Sequence, residues 1–326
     1  MLVLNREDIR AALSMADAID ALEGAFRALA EGTVITPPRI TFGVMHPDDL
    51  VLVMPAYLSG VGALGLKLVT SYPENPKKFH APNVHATILY CDHTTGERLA
   101  LMEGAHLTAV RTGATSALAT KYLARDGCQV VGIIGSGVQA KAQLEAMCAV
   151  RPIVRARVYS PTPSHAASFA DTMAPRLNIE VEPVGDPRRA VEGCDIVVAA
   201  TSATAPVFNG AWLSPGTHIN GIGSHTPDAR EVDDVTVKRA KVVVESREAV
   251  LREAGDLVIP MAAGVIPKDH VYAELGEMVI RRKPGRTSEG EVTFFKSVGL
   301  AIEDISTAKR VYERARALGI GREVIL

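Results

Sequence analysis

Residues 130–143 read VVGIIGSGVQAKAQ, and the fold is decided there. Val130 to Ile134 is a continuous apolar run, the mark of a strand buried on both faces. Gly135, Gly137 and Ala140 follow at G-x-G-x-x-A spacing, and Ala140 to Cys148 reads as a helix. A second strand, Val154 to Tyr159, ends about 20–25 residues beyond the turn, as a dinucleotide-binding unit requires. In such a unit Gly135 permits the tight turn and Gly137 lets backbone approach a pyrophosphate, while Ala140 lets the helix pack closely on the strand. Val138 and Gln139 fall at this turn, where the free N–H groups of the helix N-terminus meet the anion.

The end of the second strand selects the nucleotide. NAD binders place Asp or Glu there to hold the ribose 2′-OH. Here the sequence is VYSPTPSH, so Ser160, Thr162, Ser164 and His165 stand in place of the acid. No carboxylate repels a 2′-phosphate and no arginine clamps one, which favours NADP(H) over NAD(H).

The pattern continues downstream. Ile179 to Val181, Ile196 to Ala199, His218 to Ile222 and Lys241 to Val244 read as further strands, alternating with helical stretches. That alternation predicts an α/β fold with a doubly wound parallel sheet. Thr201 ends the fourth strand and Asn220 lies in the fifth, at the carboxyl edge where open sheets bind ligands. Upstream the style differs. Residues 5–32 read as helical, with Ser14 as a cap and Gly32 as the stop. Ile40 to Met45, Leu50 to Met54, Leu64 to Thr70, Val84 to Tyr90 and Leu99 to Met102 read as a mostly antiparallel sheet. A small-residue helix, LTAVRTGATSALATKYLA from Leu107 to Ala124, holds Arg111 as a charge on its buried side. A domain boundary is expected near Arg125 to Gly127, and Leu300 to Leu318 reads as a last amphipathic helix.

Composition narrows the function. The 326 residues carry 35 Lys plus Arg against 37 Asp plus Glu, a net charge of −2. A nucleic-acid binder would show a basic excess, so none is expected. The four cysteines form no C-x-x-C pair, so neither a disulfide framework nor a metal site is expected. Arg6, Glu7, Asp8 and Arg10 interrupt any leader, and the charge-free run from Ile196 to Pro227 is broken by prolines and glycines. The expectation is a soluble, cytoplasmic protein without membrane contact.

With the turn in place, the remaining motifs carry a resemblance. PPR (Pro37 to Arg39), GLKLV (Gly65 to Val69), LTAVRTGATSALATKYLA, GIIGSGVQA, HINGIGSHTPDAREVD (His218 to Asp233) and FKSVGLAIED (Phe295 to Asp304) stand in order along nearly the whole chain. Together they resemble the ornithine cyclodeaminase/mu-crystallin family. The resemblance implies a split α+β domain that binds substrate and dimerises, residues 1–125 with 302–326, and a Rossmann domain, residues 126–301. It also implies a homodimer and a small imino or amino acid as substrate.

The resemblance assigns roles as well. Arg39, Lys67 and Arg111 match the basic residues of the substrate pocket, and guanidinium groups suit a substrate carboxylate. Lys67, inside the apolar run LGLKLV, is the hardest of the three to explain as a surface charge. Asn83 and His85 lie in PNVHATIL, where relatives touch cofactor and substrate. Ser297 and Val298 match a loop laid against the nicotinamide, and Arg111 is expected to touch the cofactor too. Glu303 and Asp304 are expected to form a cap or an ion pair.

Two positions depart from the cyclodeaminases. Their acid in an E-L-M-P stretch is Leu52 here, in L-V-M-P, and their acid in a G-G-D turn is His225, in G-S-H. Acids suited to deprotonating a diamino acid are thus absent, which argues against cyclodeamination. The remaining set suits NAD(P)H-dependent reduction of an α-imino acid of the ketimine or Δ1-pyrroline-2-carboxylate type, or its reverse. Lys67 and His225 are then the catalytic candidates, His225 as proton donor. The alternatives are ornithine cyclodeaminase and an NADPH-dependent small-molecule binding protein.

Overall fold

A computed structural model describes residues 1–46 and 48–325. Its contacts divide the chain into two compact units, residues 1–111 with 300–326 and residues 112–299. The expected boundary at 125/126 follows the end of a helix. The contacts divide inside that helix instead, because its first and second halves pack into different units.

The first unit opens with β1 (Leu2–Leu4), α1 (Arg6–Ala12) and α2 (Met15–Ala30). The single helix expected over 5–32 is therefore two. Leu13 ends α1 in extended backbone, and Ser14, extended in turn, accepts the Asp17 N–H at 3.1 Å and caps α2. Then come β2 (Val34–Ile35), β3 (Ile40–Gly43), β4 (Leu50–Leu58), β5 (Ala63–Ser71), the short α3 (Asn75–Lys78), β6 (Val84–Cys91) and β7 (Arg98–Glu103). Helix α4 (Gly104–Leu123) carries the chain onward, and from Ala109 to Thr120 every residue is buried. A helix buried on all sides needs small side chains, and its sequence supplies them.

The second unit contains β8 (Val130–Ile134), α5 (Val138–Val150), β9 (Arg155–Tyr159), α6 (Pro163–Leu177), β10 (Glu180–Val184), β11 (Ile196–Ala199) and β12 (His218–Gly221). It continues through α7 (Asp234–Arg239), β13 (Lys241–Val244), α8 (Arg247–Glu253), α9 (Gly255–Ala262), β14 (Val271–Glu274), α10 (Leu275–Val279) and β15 (Thr293–Lys296). The strands form one sheet in the order β10-β9-β8-β11-β12-β15-β13-β14, and every pairing is parallel. The doubly wound Rossmann sheet is thus present, with its switch point between β8 and β11. Strand β15 inserts between the fifth and sixth strands read from the sequence. Its four residues, TFFK, end in a buried lysine that hides the apolar pattern.

The chain then returns to the first unit as α11 (Ala301–Leu318) and β16 (Arg322–Glu323). That unit's sheet runs β16-β1-β7-β6-β5-β4-β2, with β3 paired to β4. It is antiparallel except where β1 joins β7. Helix α11 lies across β4, β5 and β6, with α1 and α2 packed against it. Gly65 permits this approach: a Cβ there would stand 3.1 Å from Ile305 and 2.3 Å from the Leu89 carbonyl oxygen. Among the described residues no helix is long and apolar enough to cross a membrane.

Candidate active site

In the first unit the central feature is a buried cluster of four charges. Lys67 projects from β5 toward α11, in a row that runs Met54, Lys67, Ile88, Met102 across four strands. It is 2% exposed, and its Nζ lies 2.7 Å from Asp304 Oδ2. Arg111, on α4, places Nε 2.9 Å from Asp304 Oδ1 and Nη1 2.6 Å from Glu303 Oε2. Two acids from the first turn of α11 therefore serve two cations from β5 and α4, with a formal sum of zero. Burying either cation alone would cost several kcal/mol, so the grouping is what makes the burial tolerable. Burial lowers the Lys67 pKa to about 8, and the Arg111 guanidinium beside it pushes the same way against the pull of Asp304 and Glu303.

The other pocket residues are distributed unequally. Arg39 immediately precedes β3, and continuing the β3–β4 register by one residue sets it opposite Met54, in the Lys67 row. His85 is a correction to the expected set. It pairs with Thr70, and strand alternation therefore turns it to the face opposite Lys67, exposed beside Phe42 and Val51. Asn83 lies just before β6, exposed, and accepts the Ser71 hydroxyl at 3.3 Å. Leu52 pairs with Val69, so it stands on the Lys67 face as an apolar side chain.

In the second unit the glycine turn has the geometry its spacing predicts. Gly135 has φ +107°, and a Cβ there would fall 2.3 Å from the Ala200 carbonyl oxygen at the start of the β11 loop. Its N–H donates to the Tyr159 carbonyl at 2.9 Å, tying the ends of β8 and β9 together. Gly137 is the N-cap of α5; no side chain caps the helix there, and a Cβ would meet nothing within 4 Å. Val138 is 70% exposed above this opening, Gln139 is half-buried, and Ala140 is buried against the sheet. An uncapped helix N-terminus over open space fits a pyrophosphate. At the end of β9, Ser160 is buried and Thr162 is the exposed N-cap of α6, and no acid stands between them.

Three buried acids hold the loops at the carboxyl edge of this sheet, and the sequence reading missed all three. Glu231 accepts the Thr201 N–H at 2.6 Å and hydroxyl at 2.7 Å with one oxygen, and the Gly223 N–H with the other. Burial pushes its carboxyl up, while the Lys296 ammonium and the Thr201 contacts oppose that. Asp256 accepts the Glu231 and Val232 N–H groups and pairs with Lys296 Nζ at 3.0 Å. Glu245 accepts the Ser297 hydroxyl at 2.9 Å and the Val298 N–H at 2.7 Å. The available signal was a charge adjoining an apolar run, as Glu245 follows KVVV. Asn220, a cofactor-binding candidate, donates from its amide nitrogen to Thr120 Oγ1 at 3.2 Å, so its side chain is turned into the unit's interior. His225 is exposed, and its Nδ1 sits 2.7 Å from the Gly223 carbonyl. That contact places the neutral ring's proton on Nδ1 and leaves Nε2 as the acceptor.

Comparison with known proteins follows the same lines. A Δ1-pyrroline-2-carboxylate reductase of Bacillus cereus is 39% identical over 325 residues, covering 99% of each chain. The structure of the Thermococcus litoralis Δ1-pyrroline-2-carboxylate reductase in complex with NADH and L-proline is 48% identical with a TM-score of 0.96, covering 99% of this chain and 100% of that one. An archaeal alanine dehydrogenase, a dimer with bound NAD, is 36% identical with a TM-score of 0.92, covering 100% of this chain and 99% of that one. The model of the ornithine cyclodeaminase/mu-crystallin family matches residues 1–319, and the chain belongs to that family.

Proposed function

We propose that the protein catalyses NAD(P)H-dependent reduction of a small α-imino acid, of the Δ1-pyrroline-2-carboxylate or ketimine type, to the amino acid, and the reverse dehydrogenation. The observation that carries this reading is the buried Lys67–Arg111 pair, two cations held together by acids on the sheet face of the first unit. A bound nicotinamide supplies the hydride for the C=N carbon. The chain's own residues bind and protonate. Arg111 and Lys67, with Arg39 in the same row, hold the substrate carboxylate. Asp304 engages one of the three Lys67 protons, and the others are directed to substrate. With a pKa of about 8, Lys67 is protonated at neutral pH and acidic enough to return a proton to the nascent amine. His225, when its Nε2 carries a proton, is the second proton donor, on the loop that Glu231 holds.

Gly135, Gly137, Val138 and Gln139 seat the dinucleotide, with Ser160, Thr162, Thr201 and Ser297 around it. NADP(H) is preferred, since no acid at the end of β9 opposes a 2′-phosphate. The protein works as a homodimer joined through the first unit. Ile40, Phe42 and Leu68 are exposed on the sheet face opposite α11, an apolar surface suited to a second copy. The four free cysteines suit the cytoplasm.

Ornithine cyclodeamination is the second reading, and Leu52 on the Lys67 face opposes it. The test is cofactor oxidation by α-imino acids set against ammonia release from ornithine. Turnover of imines without ornithine-derived ammonia is expected, and the opposite pattern contradicts the proposal. NADPH binding with no turnover of any imine points to a binding protein instead.

A further inference from the structure

Asp304 is shared by both buried cations, one oxygen on each. We propose that Asp304 is a positioning residue of the reductase: it seats Lys67 beside Arg111 and keeps the Lys67 ammonium in its proton-donating form. The inference rests on the imine-reductase reading for its kinetic consequences, though not for its NMR readout.

The geometry separates the roles of the two neighbouring acids. Glu303 is anchored on the helix side: its Oε1 accepts the Leu300 N–H at 3.0 Å, its carbonyl accepts the Thr307 hydroxyl at 2.7 Å, and its Oε2 lies 2.6 Å from Arg111 Nη1. Asp304 has contacts of 2.7 and 2.9 Å to Lys67 and Arg111. The groups that face Lys67 are Asp304 and Glu303 from α11 and Arg111 from α4, with apolar Met54 and Ile88 on the adjoining strands. Two of these forces drive the proton off Lys67, namely burial and the neighbouring guanidinium. The nearest force retaining it is the Asp304 carboxylate. The sign follows directly: a lysine that must be charged to act loses activity as pH rises through its pKa, and removing Asp304 moves that loss to lower pH.

The test is a pair of charge-neutralising variants, Asp304→Asn and Glu303→Gln, read in two ways. Lys67 is followed by NMR in ¹³C-lysine-labelled protein, its resonance assigned with Lys67→Arg, and imine reduction is followed across pH. The Lys67 midpoint is expected to fall by at least about one pH unit in Asp304→Asn, the alkaline limb of kcat moving with it, and by less in Glu303→Gln. Asp304→Glu, which keeps the charge, should restore most of the wild-type midpoint. If Asp304→Asn does not fold, Glu303→Gln and Asp304→Glu still decide the matter through their order. A Lys67 midpoint that stays at its wild-type value in the neutralised variants overturns the proposal, as does a uniform loss of kcat with no movement of the limb. A shifted midpoint in a protein that reduces no imine leaves the Asp304 assignment standing and refutes the reductase reading.

Discussion

Each unit buries one lysine in an apolar strand, and the two differ in what surrounds them. Lys67 stands in LGLKLV and Lys296 in TFFKSV; both are shielded from solvent, and each pairs with an aspartate, at 2.7 and 3.0 Å. Lys296 meets a closed set of partners. It donates to the Gly221 carbonyl, and its partner Asp256 also accepts two backbone N–H groups. Lys67 instead shares its carboxylate with a second buried cation, Arg111. Two like charges brought together in a dry place need both acids of α11 to balance them, and a buried titratable cluster of this kind is a candidate functional site. The two lysines look alike in the sequence; their neighbours differ, and on the proposed reading Lys67 is the working one and Lys296 the structural one.

The contrast can be broken most directly by removing each ammonium. Lys67→Ala should lose about 2–5 kcal/mol in kcat/KM for imino acids, with NADPH affinity unchanged. Lys296→Ala should instead lose about 3–5 kcal/mol of folding stability in urea denaturation, the penalty for stranding Asp256. A Lys296→Ala protein with wild-type stability would contradict the division. His225→Asn sharpens it further: kcat should fall about 10²-fold while KM and NADPH affinity hold.

The glycine turn repeats the division on a smaller scale. Gly135→Ala should destabilise the fold by about 1–3 kcal/mol, because φ +107° and the Ala200 carbonyl leave no place for a methyl group. Gly137→Ala should leave the melting temperature nearly unchanged and weaken dinucleotide binding, since its Cβ enters open space. Equal loss of stability in both variants would remove the case for a pyrophosphate at Gly137. The smallest effect concerns the second strand: Ser160→Asp should weaken NADPH about tenfold relative to NADH in fluorescence titrations, or 1.4 kcal/mol.

Much of this was legible in the sequence, for identifiable reasons. β8, β11 and β13 are built on short apolar runs, and their ends match the reading. Lys67 and Arg111 stood out because a cation among apolar or small residues demands a partner. Their partners were hidden: Asp304 lies 237 positions from Lys67, and only the return of α11 brings them together. Strand β15 was missed because a pair satisfied in space looks like an interruption in sequence. That His85 lies on the face away from Lys67 was not legible, because a motif match gives a position on a strand but not the face it serves.

The central claim is that Lys67 works on an imine bound through its carboxylate. It is tested most directly by NADPH oxidation with Δ1-pyrroline-2-carboxylate, comparing wild type with Lys67→Ala at matched cofactor saturation. The account predicts turnover by wild type and a loss of about thirtyfold or more in kcat/KM for the variant, equivalent to about 2 kcal/mol, with NADPH affinity unaltered. A Lys67→Ala protein that retains wild-type kcat/KM would contradict it.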